Sequence, residues 1–438
     1  MVRPSRQAII VAGFIVVGVF ALWLQNVVIP YDEPFWGLFD NQLDLDVYRA
    51  GARTVLDGGS LYDAKLLGQM DYTYTPISVI GFIPFAVMSA ECARIVWSAG
   101  IFISLYFVVM LSFGSLGRRP SWSLRVVALG IVALSLLLEP VRTTIWYGQI
   151  NVFLLLLILA DLLRGERSRL FGSGTAIAAG IKLTPLIFIL YYALARRWRA
   201  MWGVFAGFVA TVAVGFVVLP QESWEYWTNK IFDSNRVGAP QTYGNQSIRG
   251  LLANLIHTDS PNSLLWLGLV LVALSLGMYA AVLAHRHGQE LLALSIVGMT
   301  SAAVSPVAWG HHWVWFVPLL VICIDLVFRA GVSVRSRCVA AAGLAGLILV
   351  SFAWRSYVAY PIWFVNRMVP DAYLTGLFFK HGIGWLQWFT VYPYNAVFLG
   401  TVIATIVVYR RSERRDPDGQ PPQIWAHGAG RRIVGGRR

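Results

Sequence analysis

The chain has 438 residues, is 57% hydrophobic and only 13% charged, and carries a formal net charge of +13. Soluble domains devote about a quarter of their residues to charge, so this composition excludes a soluble fold of such length. The positive balance does not point to nucleic acid, because it sits in short clusters between apolar runs, the positive-inside pattern of a membrane protein.

Arg3 and Arg6 precede an apolar run over residues 8–24, close to the roughly 20 residues that a bilayer core requires. No small-residue cleavage site follows, so this run is expected to be a retained first span. The first external loop, about 31–75, carries Asp40, Asp44, Asp46, Asp57, Asp63 and Asp71. From Asp44 onward the spacing suits a helix lying at the interface. Asp44 and Asp46 are each candidates for helix capping or for chemistry, whereas Asp57-Gly58-Gly59-Ser60 reads as a turn. Residues 76–116 hold two apolar runs, 76–90 and 92–116, but the arginine pattern allows one net crossing, so one run is expected to be re-entrant or interfacial. Ten further spans are predicted at 122–140, 150–163, 170–181, 184–195, 200–219, 263–284, 289–306, 313–329, 337–354 and 389–409, about 12 in all, with both termini cytoplasmic. The basic clusters that set this topology lie at Arg118, Arg119 and Arg125, at Arg164, Arg167 and Arg169, at Arg196, Arg197 and Arg199, at 285–287, at Arg329, Arg335 and Arg337, and beyond Arg410.

Spans 150–163, 170–181 and 184–195 are short for a core of about 30 Å. The last two, joined at Lys182-Leu183-Thr184-Pro185, are expected to form a broken helical hairpin, a shape tolerated where backbone lines a cavity. Gly203 and Gly207 form a small-xxx-small pair for helix packing. Cys92, Cys323 and Cys338 lie in or beside apolar segments and read as small hydrophobes without metal or disulfide spacing. Residues 1–410 thus read as one membrane domain, and 411–438 as a disordered basic cytoplasmic tail.

This topology collects the remaining polar residues on the outer face. They are the acidic loop, Trp146-Tyr147-Gly148-Gln149-Ile150-Asn151, the Lys182 break, the loop 220–262 with Tyr243, Asn245 and Arg249, the run from Ser305-Pro306 to Trp309-Gly310-His311-His312-Trp313, and an aromatic segment 355–388 with Arg355, Arg367, Lys380 and His381. Ionisable groups near membrane depth are functional candidates because burying them is costly. Gln149 and Asn151 either cap the following span or contact a substrate. Lys182 has no adjacent carboxylate; it either snorkels to the interface or meets a phosphate. His311 and His312 are adjacent, so a helix points them apart, and no further ligand set completes a site; no metal is expected. Interfacial packing and a polar contact with substrate remain open for both. Phosphate-loop, Rossmann and Gly-x-Ser-x-Gly motifs are missing from the sequence, which leaves nucleotide-driven transport and serine hydrolysis without support.

The run Asp44-Leu45-Asp46-Val47-Tyr48-Arg49-Ala50-Gly51-Ala52 with Asp57-Gly58 and Leu61-Tyr62-Asp63 resembles the first external loop of actinobacterial polyprenol-phosphate-mannose-dependent α-(1→2)-mannosyltransferases. Tyr74-Thr75-Pro76, Gly148-Gln149-Ile150-Asn151, Ile181-Lys182-Leu183-Thr184-Pro185, Asn245-Gln246-Ser247, Ser305-Pro306 and Trp309-Gly310-His311-His312-Trp313 are similar to that family in the same order, over about residues 30–410. The resemblance implies an all-α GT-C glycosyltransferase fold with the active site on external loops. It also implies a plasma-membrane enzyme of cell-envelope biosynthesis whose active site is periplasmic. Its co-substrate would be polyprenyl-phosphate-mannose, with no other cofactor. Its acceptor would be a phosphatidylinositol mannoside or a lipomannan. Because the donor in such enzymes is β-linked and the product α-linked, the anomeric centre inverts and one general base suffices. Asp44 carries that role by resemblance, with Asp46 in reserve. Lys182, Arg249, His311 and His312, with Arg355 or Arg367 behind, are the cations expected to meet the leaving phosphate. Gln149, Asn151, Asn245 and Trp309 complete the expected binding residues, and Trp224, Tyr226, Trp227 and Tyr243 are candidates for stacking on sugar faces. The competing class is a polytopic lipid-linked-sugar transporter or flippase, disfavoured because acids are scarce inside the spans where coupling ions would bind.

Overall fold

The computed structural model describes residues 5–161, 168, 170–233, 235–357, 373–380 and 390–415. In chain order the helices are α1 (Arg6–Val28), α2 (Leu43–Leu56), α3 (Ser78–Val87), α4 (Ala90–Ser115), α5 (Trp122–Ser135), α6 (Glu139–Tyr147), α7 (Asn151–Ala160), α8 (Ser173–Ile181) and α9 (Ile187–Leu194). They continue with α10 (Trp198–Val218), α11 (Pro220–Thr228), α12 (Ile248–Leu255), α13 (Ser263–Arg286), α14 (Glu290–Val304), α15 (Phe316–Phe328), α16 (Val334–Ser351) and α17 (Pro393–Arg415). Two short antiparallel strands, β1 (Arg355–Tyr357) and β2 (Tyr373–Thr375), pair with Arg355 opposite Thr375. The chain is a polytopic, all-α membrane protein. Among the described residues, α1, α4, α10, α13, α16 and most of α17 are long and apolar enough to cross a bilayer, and α3, α5, α9, α14 and α15 are shorter apolar helices.

The outer surfaces of the long helices are apolar, as lipid contact requires: α10 buries only Ala200, Val204 and Gly215 and exposes Val209, Val214 and Val217. Of the two apolar runs in 76–116, the second is the long helix α4. The first, α3, has ten residues and Pro84 within it; at 1.5 Å per residue it reaches about 15 Å, half a bilayer core. The span expected at 122–140 ends earlier. Helix α5 stops at Ser135, and Glu139 begins a separate helix, α6, whose axis lies 115° from that of α7. At the far end of the chain, α17 continues through Arg415, five residues into the segment expected to be disordered, and 416–438 lie outside the described residues. So do Arg164, Arg167, Arg169, Arg367 and His381.

The broken hairpin is present. Along its length α8 follows α10: Gly203 sits against the Phe171 carbonyl, Gly207 against Ala176 and Gly180 against Thr211. A Cβ on Gly203 would lie 2.5 Å from that carbonyl oxygen, so the small-xxx-small pair is what lets the two backbones touch. After a 3-10 turn, Thr184–Leu186, α9 returns to the starting end, where Tyr192 lies tilted beside Phe171 and the Arg197 guanidinium sits over the Phe171 ring. Lys182 to Pro185 form the tip. At the same end as Phe171, Glu290 gathers Arg197, Tyr191 and His285, while Asp325 pairs with Arg118 at 2.6 Å and with Arg329. The hairpin tip, α2, the α6–α7 elbow and the α14–α15 connection gather at the opposite end.

Candidate active site

A cavity of about 1250 Å³ opens among these elements, larger than the few hundred cubic ångströms of an ordinary small-molecule site. All six stretches that the sequence assigns to one face reach its wall: Asp44 and Tyr48, Gln149, Lys182, Tyr243, His311 and His312, and Thr375.

Helix α2 carries the acid. Gln42 enters it in the left-handed region at φ 51°, its backbone N–H donating to Trp146 O at 2.7 Å and its side-chain amide to Ile145 O at 2.6 Å. Asp44 and Asp46 fall in the first turn, where the helix dipole favours negative charge. They point to different sides, as residues two apart on a helix must. Asp46 accepts from Arg49 at 3.3 Å and from Arg94 of α4 at 2.8 Å, and does not line the cavity. Arg49 and Arg53 then satisfy the C-terminal carbonyls of α3, donating to Phe85 O, Met88 O and Ala86 O at 2.9–3.1 Å. Asp46 therefore ties α2 to α4, and Arg49 and Arg53 tie it to α3, whereas Asp44 opens into the cavity.

Gln149 fixes Asp44. The elbow between α6 and α7 turns at Gly148, φ 68°, where a Cβ would lie 2.8 Å from the Leu45 Cβ; glycine alone suits both that conformation and that approach. Gln149 Oε1 accepts from Tyr48 OH at 3.1 Å, Tyr74 OH at 3.2 Å and Asn151 Nδ2 at 3.4 Å. Three donors on the oxygen leave the amide N–H groups to donate to the Asp44 carboxylate. Burial pushes the Asp44 carboxyl up to about 6, opposed by the Gln149 hydrogen bond and the Lys182 charge.

Lys182 faces the same space. Its Nζ donates to Asn151 Oδ1 at 3.0 Å, lies 2.9 Å from His312 Nε2, and sits 5.4 Å from the centre of the Tyr74 ring. Thr75 clamps the tip from below, its N–H and hydroxyl donating to the Ile181 and Gly180 carbonyls that end α8. Asn151 also donates to His311 O at 2.9 Å, so the elbow and the histidine turn (Gly310–Trp313) are tied together. The histidines differ from the expected cations. Burial and the Lys182 charge hold both well below the usual imidazole range, hence neutral, and the positive charge belongs to Lys182.

Asn151 itself stands behind Lys182 without lining the cavity, and two other expected binding residues do not reach it. Asn245 is fully buried and donates to Pro240 O and Pro306 O while accepting from the Ser247 and Ala308 N–H groups, which fastens the 238–247 loop to the 305–309 segment. The Arg249 guanidinium lies over the Trp266 ring, 5.4 Å from its centre. Arg355 pairs with Glu33 at 3.5 Å. Trp309, Tyr226 and Tyr243 line the cavity; Trp224 and Trp227 do not. The sequence reading missed Tyr48, Tyr74, Tyr147 and Glu139, all on the wall. For Glu139 a signal existed: an acid at the very end of an apolar run is costly to bury without purpose.

Residues 72–306 match the profile of glycosyltransferase family 87. A polyprenol-phosphate-mannose-dependent alpha-(1-2)-phosphatidylinositol mannoside mannosyltransferase of Mycobacterium tuberculosis is 31% identical over 334 residues, covering 72% of this chain and 77% of its own. The enzyme of the same description from Mycolicibacterium smegmatis is 34% identical over 327 residues, 69% of this chain and 74% of its own. A phosphatidylinositol pentamannoside mannosyltransferase of M. smegmatis is 34% identical over 336 residues, 75% and 80% respectively.

Proposed function

The chain belongs to glycosyltransferase family 87 and is a membrane mannosyltransferase, and from that premise we propose that it moves mannose from polyprenyl-phosphate-mannose to a phosphatidylinositol mannoside or a lipomannan, forming an α-(1→2) linkage on the outer, periplasmic face of the plasma membrane. The observation that carries the reading is the pairing of one base with one cation across a single cavity: Asp44, held by Gln149, and Lys182, held by Asn151.

The reaction is a single displacement. The acceptor hydroxyl attacks the anomeric carbon as the bond from that carbon to the lipid phosphate oxygen breaks, with inversion. Asp44 takes the hydroxyl proton; a positioned base of this kind contributes roughly 10²–10⁴-fold. Negative charge grows on the departing polyprenyl phosphate, and Lys182 meets it from a half-buried position, where a fixed charge acts more strongly than in bulk. Neutral His311 and His312 give hydrogen-bonding partners without adding charge. No group in this scheme needs a covalent sugar–enzyme bond.

The test is direct. Purified protein is incubated with radiolabelled polyprenyl-phosphate-mannose and each candidate acceptor, and the product is subjected to linkage analysis. Label in a glycolipid bearing a new α-(1→2)-mannose is the expected result. Label in another linkage corrects the regiochemistry, and label in no glycolipid overturns the assignment of acceptor.

A further inference from the structure

The mechanism leaves one buried carboxylate of the cavity wall unused. Glu139 is buried and lines the cavity at the first turn of α6. Its Oε1 accepts from Thr143 Oγ1 at 2.9 Å and its Oε2 from Tyr394 OH of α17 at 2.5 Å. Gly310 packs directly on the carboxyl group; a side chain there would overlap it. The group is thus held from three elements, yet a carboxylate offers about four acceptor positions and only two are taken by these hydroxyls. Beside it, His311 Nε2 is buried, lines the same cavity and has no hydrogen-bond partner among the described residues. A buried polar atom left unpaired is costly, and a binding site is where such a cost is recovered by ligand.

Glu139 lies on the acceptor's side of the base, and His311 adjoins it from the turn whose His312 meets Lys182. Tyr147 lies within electrostatic range of both the Asp44 and the Glu139 carboxylates, and its ring meets His311 edge-on at 5.6 Å. The charge acting on Asp44 and on His311 is that of Lys182, whereas the charge acting on Glu139 is that of Arg142. In an in-line displacement the acceptor oxygen approaches opposite the leaving phosphate, so groups beyond the base and away from the phosphate's cation face the acceptor. We propose that the Glu139 carboxylate and His311 Nε2 form a subsite that binds ring hydroxyls of the acceptor's terminal sugar and sets which hydroxyl is presented to Asp44. This rests on the transferase reading given above.

The experiment uses the full chain in lipid nanodiscs, with polyprenyl-phosphate-mannose as donor and a phosphatidylinositol mannoside, plus a series of analogues each lacking one terminal-sugar hydroxyl, as acceptors. Glu139→Gln keeps the shape and removes the charge. It is expected to raise the acceptor KM about tenfold, the size of a hydrogen bond to a charged group. The donor KM and the slow hydrolysis of donor without acceptor should stay within about twofold. An analogue lacking the recognised hydroxyl should bind the parent protein about tenfold more weakly and suffer no further loss in the variant. Equal shifts in donor and acceptor KM, or losses that multiply for every analogue, overturn the subsite. If Glu139→Gln does not fold, the parent protein carries the test alone: one non-attacked hydroxyl that matters supports the subsite, and a flat series overturns it. Failure of the parent protein to glycosylate any of these acceptors instead strikes down the acceptor assignment, a separate result.

Discussion

Two aspartates two residues apart look interchangeable in the sequence, and only their surroundings separate them. Asp44→Asn should lower transfer by about 10²–10⁴-fold, the contribution of a general base, with donor binding retained in a filter assay. Asp46→Asn should keep kcat within a few-fold. It removes a partly exposed pair with Arg94 and Arg49, which is worth about 1 kcal/mol at most, and its effect should appear as a modest fall in melting temperature. The Asp44 carboxyl, lifted by burial to about 6, must be ionised to accept a proton, so kcat/KM should decline as pH drops through about 6. Because the Gln149 hydrogen bond lowers that value, Gln149→Ala should move the acidic limb upward; an unmoved limb would separate Gln149 from the base. The residue types Asp44, Gln149, Asn151 and Lys182 were legible as polar groups stranded beside apolar runs. Tyr48 and Tyr74 were not, since a tyrosine beside a membrane reads equally well as an interface anchor. Asn245 was over-read for the same reason: an amide that fastens loop backbone looks, in sequence, like one that grips a ligand.

Helices carry these residues, and their ends matter more than their centres. The apolar runs located the long membrane helices, because lipid leaves no alternative for the backbone. Their boundaries were harder to place. The run at 122–140 hides a break after Ser135, where Glu139-Pro140 starts a new helix; proline at a first turn is compatible with a helix start, and hydropathy alone does not register it. The hairpin was legible from Lys182 and Pro185 and from its short arms. Its attachment to α10 is testable. Gly203→Ala would drive a methyl against the Phe171 backbone, and overpacking of this kind costs about 1–3 kcal/mol. Thermal inactivation in detergent should shift down accordingly. Gly13→Ala is the control, because an added Cβ there meets nothing within 4 Å.

At the scale of the whole molecule the sequence placed six polar stretches on one face from arginine counts alone, and the structure brings all six to one cavity. The reason is physical: loops between spans have only two compartments to occupy. The native cysteines can report which compartment this is. Two of them are less buried than their neighbours' hydropathy implied: Cys92 is exposed in the first turn of α4 beside Arg94, at the cavity end, and Cys338 is exposed in the second turn of α16, at the other. With Cys323 replaced, a membrane-impermeant maleimide should modify Cys92 on intact cells and Cys338 only after permeabilisation. The reverse pattern would put the cavity in the cytoplasm. The half-length hairpin has one more consequence. At Gly180 the arm α8 has reached only Thr211, and α10 climbs on to Val218, seven residues or about 10 Å higher. The lysine at the tip therefore sits recessed below the end of α10, so a hydrated sugar must descend into the cavity to meet it.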